Sequence, residues 1–289
     1  MKIGLLHPGA MGSTIGACLV HNNHEVFVAL NNRSKDSIER AEKYKLLNCE
    51  NIENMCHLCE IIICICPPAF AMDVCNIVVN CKFNGLYVDA NAINPATSMI
   101  IAEKINNSGR YVDGGIIGPP AIVANTTRLY LSGPEALQVA ALFENTLCQA
   151  IPLSNDKSVV SASAMKLAYS SWTKGSSALL LSVLSFAKHH RLDNELLKEF
   201  NISQKYALQQ SERLGFVAPK AWRFEGEMEE IAAAFSSANL PSGFHDSSAK
   251  IYRRLKHLKG ALATDYKVNQ MTDIIIIKKD EDEEENINE

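Results

Sequence analysis

Short apolar runs alternate with helix-length segments through the first half of the chain, and only helix-length segments follow. Ile3–Leu6, Glu25–Leu30, Ile61–Cys66, Leu86–Ala90, Tyr111–Asp113 and Arg128–Ser132 read as strands, punctuated by Gly, Pro or Asn. A helical stretch from Ala10 to about His21 follows the first run. Near residue 155 the strand signals stop, and helical patterns cover 156–190, 193–214, 221–238 and 245–263. The pattern predicts an α/β fold, a Rossmann-type doubly wound parallel sheet followed by an all-α second domain. The expected divisions are 1–155, 156–266 and a tail, 267–289.

The segment 156–190 carries one polar stripe. A step of ~100° per residue aligns Ser163, Lys166, Ser170, Thr173 and Ser177. Met165, Leu167, Ala168, Trp172, Leu179 and Leu181 fill the other sides. A helix apolar on most sides is normally buried, so Lys166 is expected to line a wet cleft or a surface.

Charge and cysteine content narrow the class. The net charge is −4, and the tail alone carries −5, which leaves the body at +1 and without a nucleic-acid footprint. The run Asp280–Glu285 repels itself, so the tail is expected to be disordered, with Ile274–Ile277 an edge strand or a linker. No apolar run approaches the ~18 residues of a membrane span, and Met1–Leu6 enters the fold directly, so a cytoplasmic protein is expected. Nine cysteines read as reduced thiols; Cys56-His57-Leu58-Cys59 has no second pair at a zinc-like distance, and no metal is expected.

The chemistry starts at His7-Pro8-Gly9-Ala10-Met11-Gly12, between the first strand and its helix. This is a G-x-G-x-x-G dinucleotide fingerprint with His7 in place of the first glycine. Gly9 lets backbone approach a pyrophosphate, and Gly12 lets the helix pack on the sheet. At the end of the second strand, where an NAD-binding protein usually has an acid, stand Asn31-Asn32-Arg33-Ser34. No carboxylate repels a 2′-phosphate and Arg33 can bind one, so NADP is the expected cofactor, with NAD possible. Three further turns fall at strand ends: Cys66-Pro67-Pro68, Asp89–Pro95 with Asn91 and Asn94, and Asp113–Pro120 with Gly114 and Gly115. Together they would ring one crevice, with Asn91 and the Gly114/Gly115 amides available to a carboxylate.

These motifs together resemble the β-hydroxyacid dehydrogenase superfamily, which includes the 3-hydroxyisobutyrate and 6-phosphogluconate dehydrogenases. Met11-Gly12, Asp89–Pro95, Gly114-Gly115 and Lys166 match its motifs; Ser170 stands where relatives carry Asn. His7-Pro8-Gly9, Trp172–Gly175 and Trp222–Ile231 are similar to a poorly characterised branch with a phosphogluconate-dehydrogenase-like helical domain. The resemblance implies an NADP-dependent oxidoreductase of small 3-hydroxy acids, sugar acids among them, with Lys166 as general base and Ser170, Thr173 or Tyr169 orienting the hydroxyl. A free lysine titrates near ~10.4, so that role requires burial or nearby cations; Lys174 lies two turns on, at the rim. Lys174, Trp222, His245, Arg223 and Glu227 are further candidates around a carboxylate substrate, and a homodimer is implied. Alternatives are an imine or ketimine reductase, whose members commonly replace the lysine, and a non-catalytic NADP-binding regulatory protein. Arg253, Arg254, Lys256 and Lys259 are expected to face solvent.

Overall fold

The computed structural model describes residues 1–107, 109–154, 158–260, 262 and 267–277. It divides into two compact units, Met1–Ala168 and Tyr169–Glu289.

In the first unit, β1 (Lys2–Leu6), α1 (Ala10–His21), β2 (Glu25–Val28), α2 (Lys35–Lys43), β3 (Leu47–Asn48), α3 (Ile52–Leu58), β4 (Ile61–Cys64), α4 (Ala71–Asn80), β5 (Leu86–Asp89), α5 (Pro95–Asn106), β6 (Arg110–Ile117), β7 (Thr127–Ser132), α6 (Ala136–Ala141) and β8 (Cys148–Pro152) follow in order. The strands form one sheet, β3-β2-β1-β4-β5-β6-β7-β8. All neighbours are parallel except β6 and β7. Alternate residues feed two apolar layers: Leu5, Ile63 and Val88 on one face, and Leu6, Ile62 and Tyr87 on the other. A sheet covered on both faces explains why these strands read as unbroken apolar runs. The expected doubly wound sheet is present.

Two edge strands, β3 and β8, were not legible: β3 has two exposed residues and β8 mixes Gln149 among apolar neighbours. A larger correction concerns Asp113–Pro120. Gly114 and Gly115 do not form a turn; they continue β6 to Ile117. The strand changes partner at Asp113, which is paired with both Asp89 of β5 and Ser132 of β7. The turn comes at Gly118, with φ +116°, where an added Cβ would strike the Thr126 carbonyl oxygen.

The central strands bury carboxyl groups side by side. Asp89 and Asp113 are register partners and both are buried. Asp89 is pushed up to about 7 by burial and by the Asp113 charge, against the Asn91 hydrogen bonds that lower it. Its Oδ1 accepts from Asn91 N at 2.9 Å, and Oδ2 has no partner among the described residues.

The long helix α7 (Ser161–His189) begins later than residue 156, and the unit boundary lies within it rather than at 155. The reason is that its first turns are hydrogen-bonded to β6 and β7 residues, so they count with the sheet. The second unit continues through α8 (Asp193–Ser203), α9 (Lys205–Glu212), α10 (Ala221–Ser237), α11 (Gly243–Arg254) and α12 (Val268–Ile277). Residues 268–277 were expected within a disordered tail; they form α12 because Met271, Thr272 and Ile275 are buried. The acidic run from 280 lies outside the described residues. The basic residues of α11 are not simply solvated: Arg253 pairs with Glu225 at 2.7 Å, and Arg254 Nη1 donates to the Ile275 carbonyl at 2.8 Å. Lys259 stacks over the Trp222 ring at 4.2 Å. Among the described residues no helix is long and apolar enough to cross a membrane.

Two measurements test this account. Gly118→Ala should destabilise the protein by about 1–3 kcal/mol in denaturant unfolding, because its backbone lies where only glycine is unstrained. For Asp89, the raised folded-state value means the folded protein keeps a proton that the unfolded chain loses from about pH 4 upward. Its stabilisation is therefore complete below that range and lost as pH rises through about 7. Relative to wild type, Asp89→Asn should remove a downward slope of about 4 kcal/mol between pH 4 and 8; parallel stability curves would contradict the assignment.

Candidate functional site

The fingerprint turn is shaped around three backbone contacts. His7 N donates to the Ile65 carbonyl at 3.1 Å, Gly9 N donates to the His7 carbonyl at 2.8 Å, and Ser13 N donates to the Gly9 carbonyl at 2.9 Å. Gly12 backs directly onto the His7 carbonyl oxygen, so a side chain there would push α1 off the turn. At Gly9 no atom lies within 4 Å of where a Cβ would be, and Gly9 caps α1 without a side-chain hydrogen bond. Uncapped amides at a helix N-terminus beside open space suit a pyrophosphate.

The β2 end meets this turn. Arg33 Nη2 lies 2.8 Å from His7 Nδ1, while Arg33 Nε is buried with no partner among the described residues. His7 is held down at about 4, first by burial and then by the Arg33 guanidinium, so its ring is neutral and accepts. Asn31, Asn32 and Ser34 are exposed beside it. One residue was missed in the sequence: Arg40 Nε donates to the Pro8 carbonyl at 3.3 Å and its Nη2 to Ser37 Oγ at 3.2 Å. Its signal was present, since Arg40 lies three residues after Ser37 on α2 and so one turn away. An unpaired guanidinium nitrogen with a second arginine nearby fits a dinucleotide carrying an extra phosphate.

A second cluster surrounds Asp113. Its Oδ2 accepts from Ser163 N at 2.7 Å and Ser132 Oγ at 3.2 Å, and its Oδ1 from Ser163 Oγ at 2.5 Å and Ser98 Oγ at 3.0 Å. Ser132 Oγ also accepts from Ala162 N at 2.9 Å. Burial raises Asp113 above the usual carboxylate range against the pull of these donors. The carboxylate thus ties the first turn of α7 to β6, and Lys166 follows one turn later. A Cβ on Gly115 would lie 2.5 Å from the Ala162 carbonyl oxygen and 3.0 Å from Lys166 Cβ. Gly115 therefore belongs with Lys166, as a bare strand position that lets the lysine stem sit on the sheet.

Other expected contacts are committed inside the fold. Asn91 is buried; its Oδ1 accepts from Cys66 N at 2.6 Å and its Nδ2 donates to Cys64 Sγ at 3.4 Å. Its side-chain oxygen and one of its two amide protons are therefore used within the fold, where they shape the Cys66-Pro67-Pro68 corner. Asn94 caps α5, accepting from Ala96 N at 2.9 Å. Gly114 packs on Asp89 and Ala90.

Ser170, Lys174, Trp222 and His245 lie in the second unit. Ser170 is buried. Lys174 is not a free cation on a rim: it pairs with Glu227 at 2.7 Å, with side chains only 12% and 14% exposed. Arg223 joins the same carboxylate at 2.9 Å. His245 is buried against Phe235, with its Nε2 3.4 Å from Ser171 Oγ. Thr173 Oγ1 donates to the Tyr169 carbonyl at 3.1 Å, a bond internal to α7.

Residues 2–145 match the NAD binding domain of 6-phosphogluconate dehydrogenase, and residues 187–255 match a domain of unknown function, DUF1932. An uncharacterised 28.5 kDa protein in the 7S RNA 5′ region of Methanothermus fervidus is 28% identical over 199 residues, 68% of this chain and 75% of that protein. A conserved protein of unknown function, described as structurally similar to 3-hydroxyacid dehydrogenases, superposes with TM-score 0.70 at 24% identity, over 89% of this chain and 98% of its own. The 3-hydroxyisobutyrate dehydrogenase of Mycobacterium tuberculosis, solved with L-serine, superposes with TM-score 0.66 at 13% identity, over 95% of this chain and 97% of its own. With a phosphogluconate-dehydrogenase-type nucleotide domain, a DUF1932 segment and this fold, the chain belongs to the β-hydroxyacid dehydrogenase superfamily.

Proposed function

We propose that the protein is an NADP-dependent oxidoreductase that interconverts a small 3-hydroxy acid, within a class that includes sugar acids, and the corresponding carbonyl compound. The observation that carries this reading is the fastening of α7 to β6 through Asp113 and Ser163, which sets Lys166 on the bare Gly115 position. The pyrophosphate is assigned to the Gly9–Gly12 turn and the 2′-phosphate to Arg33, with Asn32, Ser34 and Arg40 beside it. Bound NADP supplies the hydride acceptor for oxidation and, when reduced, the donor for reduction. Lys166 Nζ takes the hydroxyl proton as the carbinol carbon is oxidised, and returns it to the carbonyl oxygen in the reverse direction. Ser170, one turn further along α7, is assigned to the substrate hydroxyl in place of the Asn of relatives. Nine free cysteines accord with a cytoplasmic location.

A homodimer is part of this reading. Tyr169, Trp172, Leu179, Val183 and Phe186 form an exposed apolar line on α7, with Trp172, Leu179 and Phe186 at 63%, 59% and 70% exposure. Their separations of three, four and seven residues match a helix–helix seam. The sequence pattern alone had implied a buried helix; these side chains are left for a second copy, and a stable dimer needs roughly 800 Å² from each partner.

Purified protein assayed with NADP against a panel of 3-hydroxy acids should show turnover. Lys166→Ala should lower kcat by about 10²–10⁴-fold while leaving NADP binding intact. Equal turnover in the variant would sink the base assignment, and NADPH-dependent reduction of cyclic imines without any hydroxy-acid turnover would replace the substrate class. Leu179→Glu with Phe186→Glu should shift the mass measured by light scattering from dimer to monomer; an unchanged mass would place the contact elsewhere.

A further inference from the structure

The chain departs from its fingerprint at one position, His7, and the structure gives that departure a partner. The backbone of His7 is held by Ile65 and Gly9 and backed by Gly12, so its imidazole projects from a fixed point. That imidazole meets the Arg33 guanidinium at 2.8 Å from Nδ1 and 3.3 Å from Nε2. We propose that His7 is a positioning residue for Arg33, and that by holding this guanidinium beside the fingerprint turn it determines the preference for a 2′-phosphorylated dinucleotide. The inference rests on the NADP assignment above and adds to it the residue that sets selectivity.

Four points support it. Arg33 has long side-chain freedom to lose, and an arginine already fixed at one nitrogen loses less on binding a phosphate. Its Nε is buried and without a partner among the described residues, a donor that an anionic oxygen would satisfy. The ring beside it is neutral, its proton affinity lowered first by burial and then by Arg33, so it accepts from the guanidinium without adding or cancelling charge. Arg40 is tied to the same turn through the Pro8 carbonyl, which sets a second cation near the first. A glycine at position 7 would leave Arg33 attached to the turn by nothing that the structure records.

The test is calorimetric titration of the full-length protein with NADP, NAD and adenosine 2′,5′-bisphosphate, for wild type, His7→Gly and His7→Asn, with thermal unfolding run beside each. His7→Gly should weaken NADP and adenosine 2′,5′-bisphosphate by roughly 10-fold, the effect of one charge-assisted hydrogen bond, and change NAD by less than about 2-fold; His7→Asn, which restores an acceptor, should recover part of the loss. Equal weakening of NADP and NAD would mean that His7 only shapes the turn, and would overturn the proposal. Unchanged or tighter NADP binding would overturn it as well, the latter showing that the imidazole obstructs the subsite. Failure of the cofactor reading is separately visible, as a wild-type protein that binds NAD at least as tightly as NADP.

Discussion

A buried carboxylate at the point where β6 changes partners organises the first unit. Asp113 is removed from water, a placement that costs several kcal/mol for an isolated charge, and four donors from three elements converge on it. Ser98 comes from α5, Ser132 from β7, and Ser163 supplies both its amide and its hydroxyl from α7. Loss of any donor would leave a buried oxygen short of a partner, so the set acts as a unit. The seating of the first turns of α7 on the sheet, and with it the place of Lys166, follows from this convergence.

The same end of the sheet carries the nucleotide turn, and here the constraint is steric rather than electrostatic. Gly12 has no room for a side chain against His7, while Gly9 has nothing above it. The turn is thus closed on the sheet side and open on the ligand side, the asymmetry a pyrophosphate requires. Arg33 and Arg40 reach back to this turn from the loop after β2 and from α2, so the cationic part of the site is braced by the glycine-rich part.

In the second unit charge is paired where sequence patterns suggested solvated faces. Glu227 holds both Lys174 and Arg223, and Arg253 spans Glu225 and Glu229. Tyr252 OH donates to the Lys174 carbonyl at 2.6 Å and its ring packs edge-on against Phe224. These contacts knit α7, α10 and α11 into one body and leave the apolar line of α7 uncovered.

The sequence alone determined the α/β class, the all-helical second half and the fingerprint turn, because these depend on local periods: continuous apolar runs for strands covered on both faces, helical spacing beyond, and glycines where backbone must approach closely. It also singled out Lys166, through a polar stripe on an otherwise apolar helix. Tertiary structure decided what local pattern does not encode. Gly114 and Gly115 look like a turn in any window of neighbours, and become strand because β7 returns antiparallel beside them while α7 lies across Gly115. Asn91 and Asn94 look like ligand-binding amides, and serve as a strap and a cap because the backbone amides of Cys66 and Ala96 fall within their reach. Lys174 looks like a free cation until Glu227, more than fifty residues on, comes within 2.7 Å. Periodicity reports what a residue faces along its own element; which charge or backbone amide arrives there from elsewhere is a property of the folded chain.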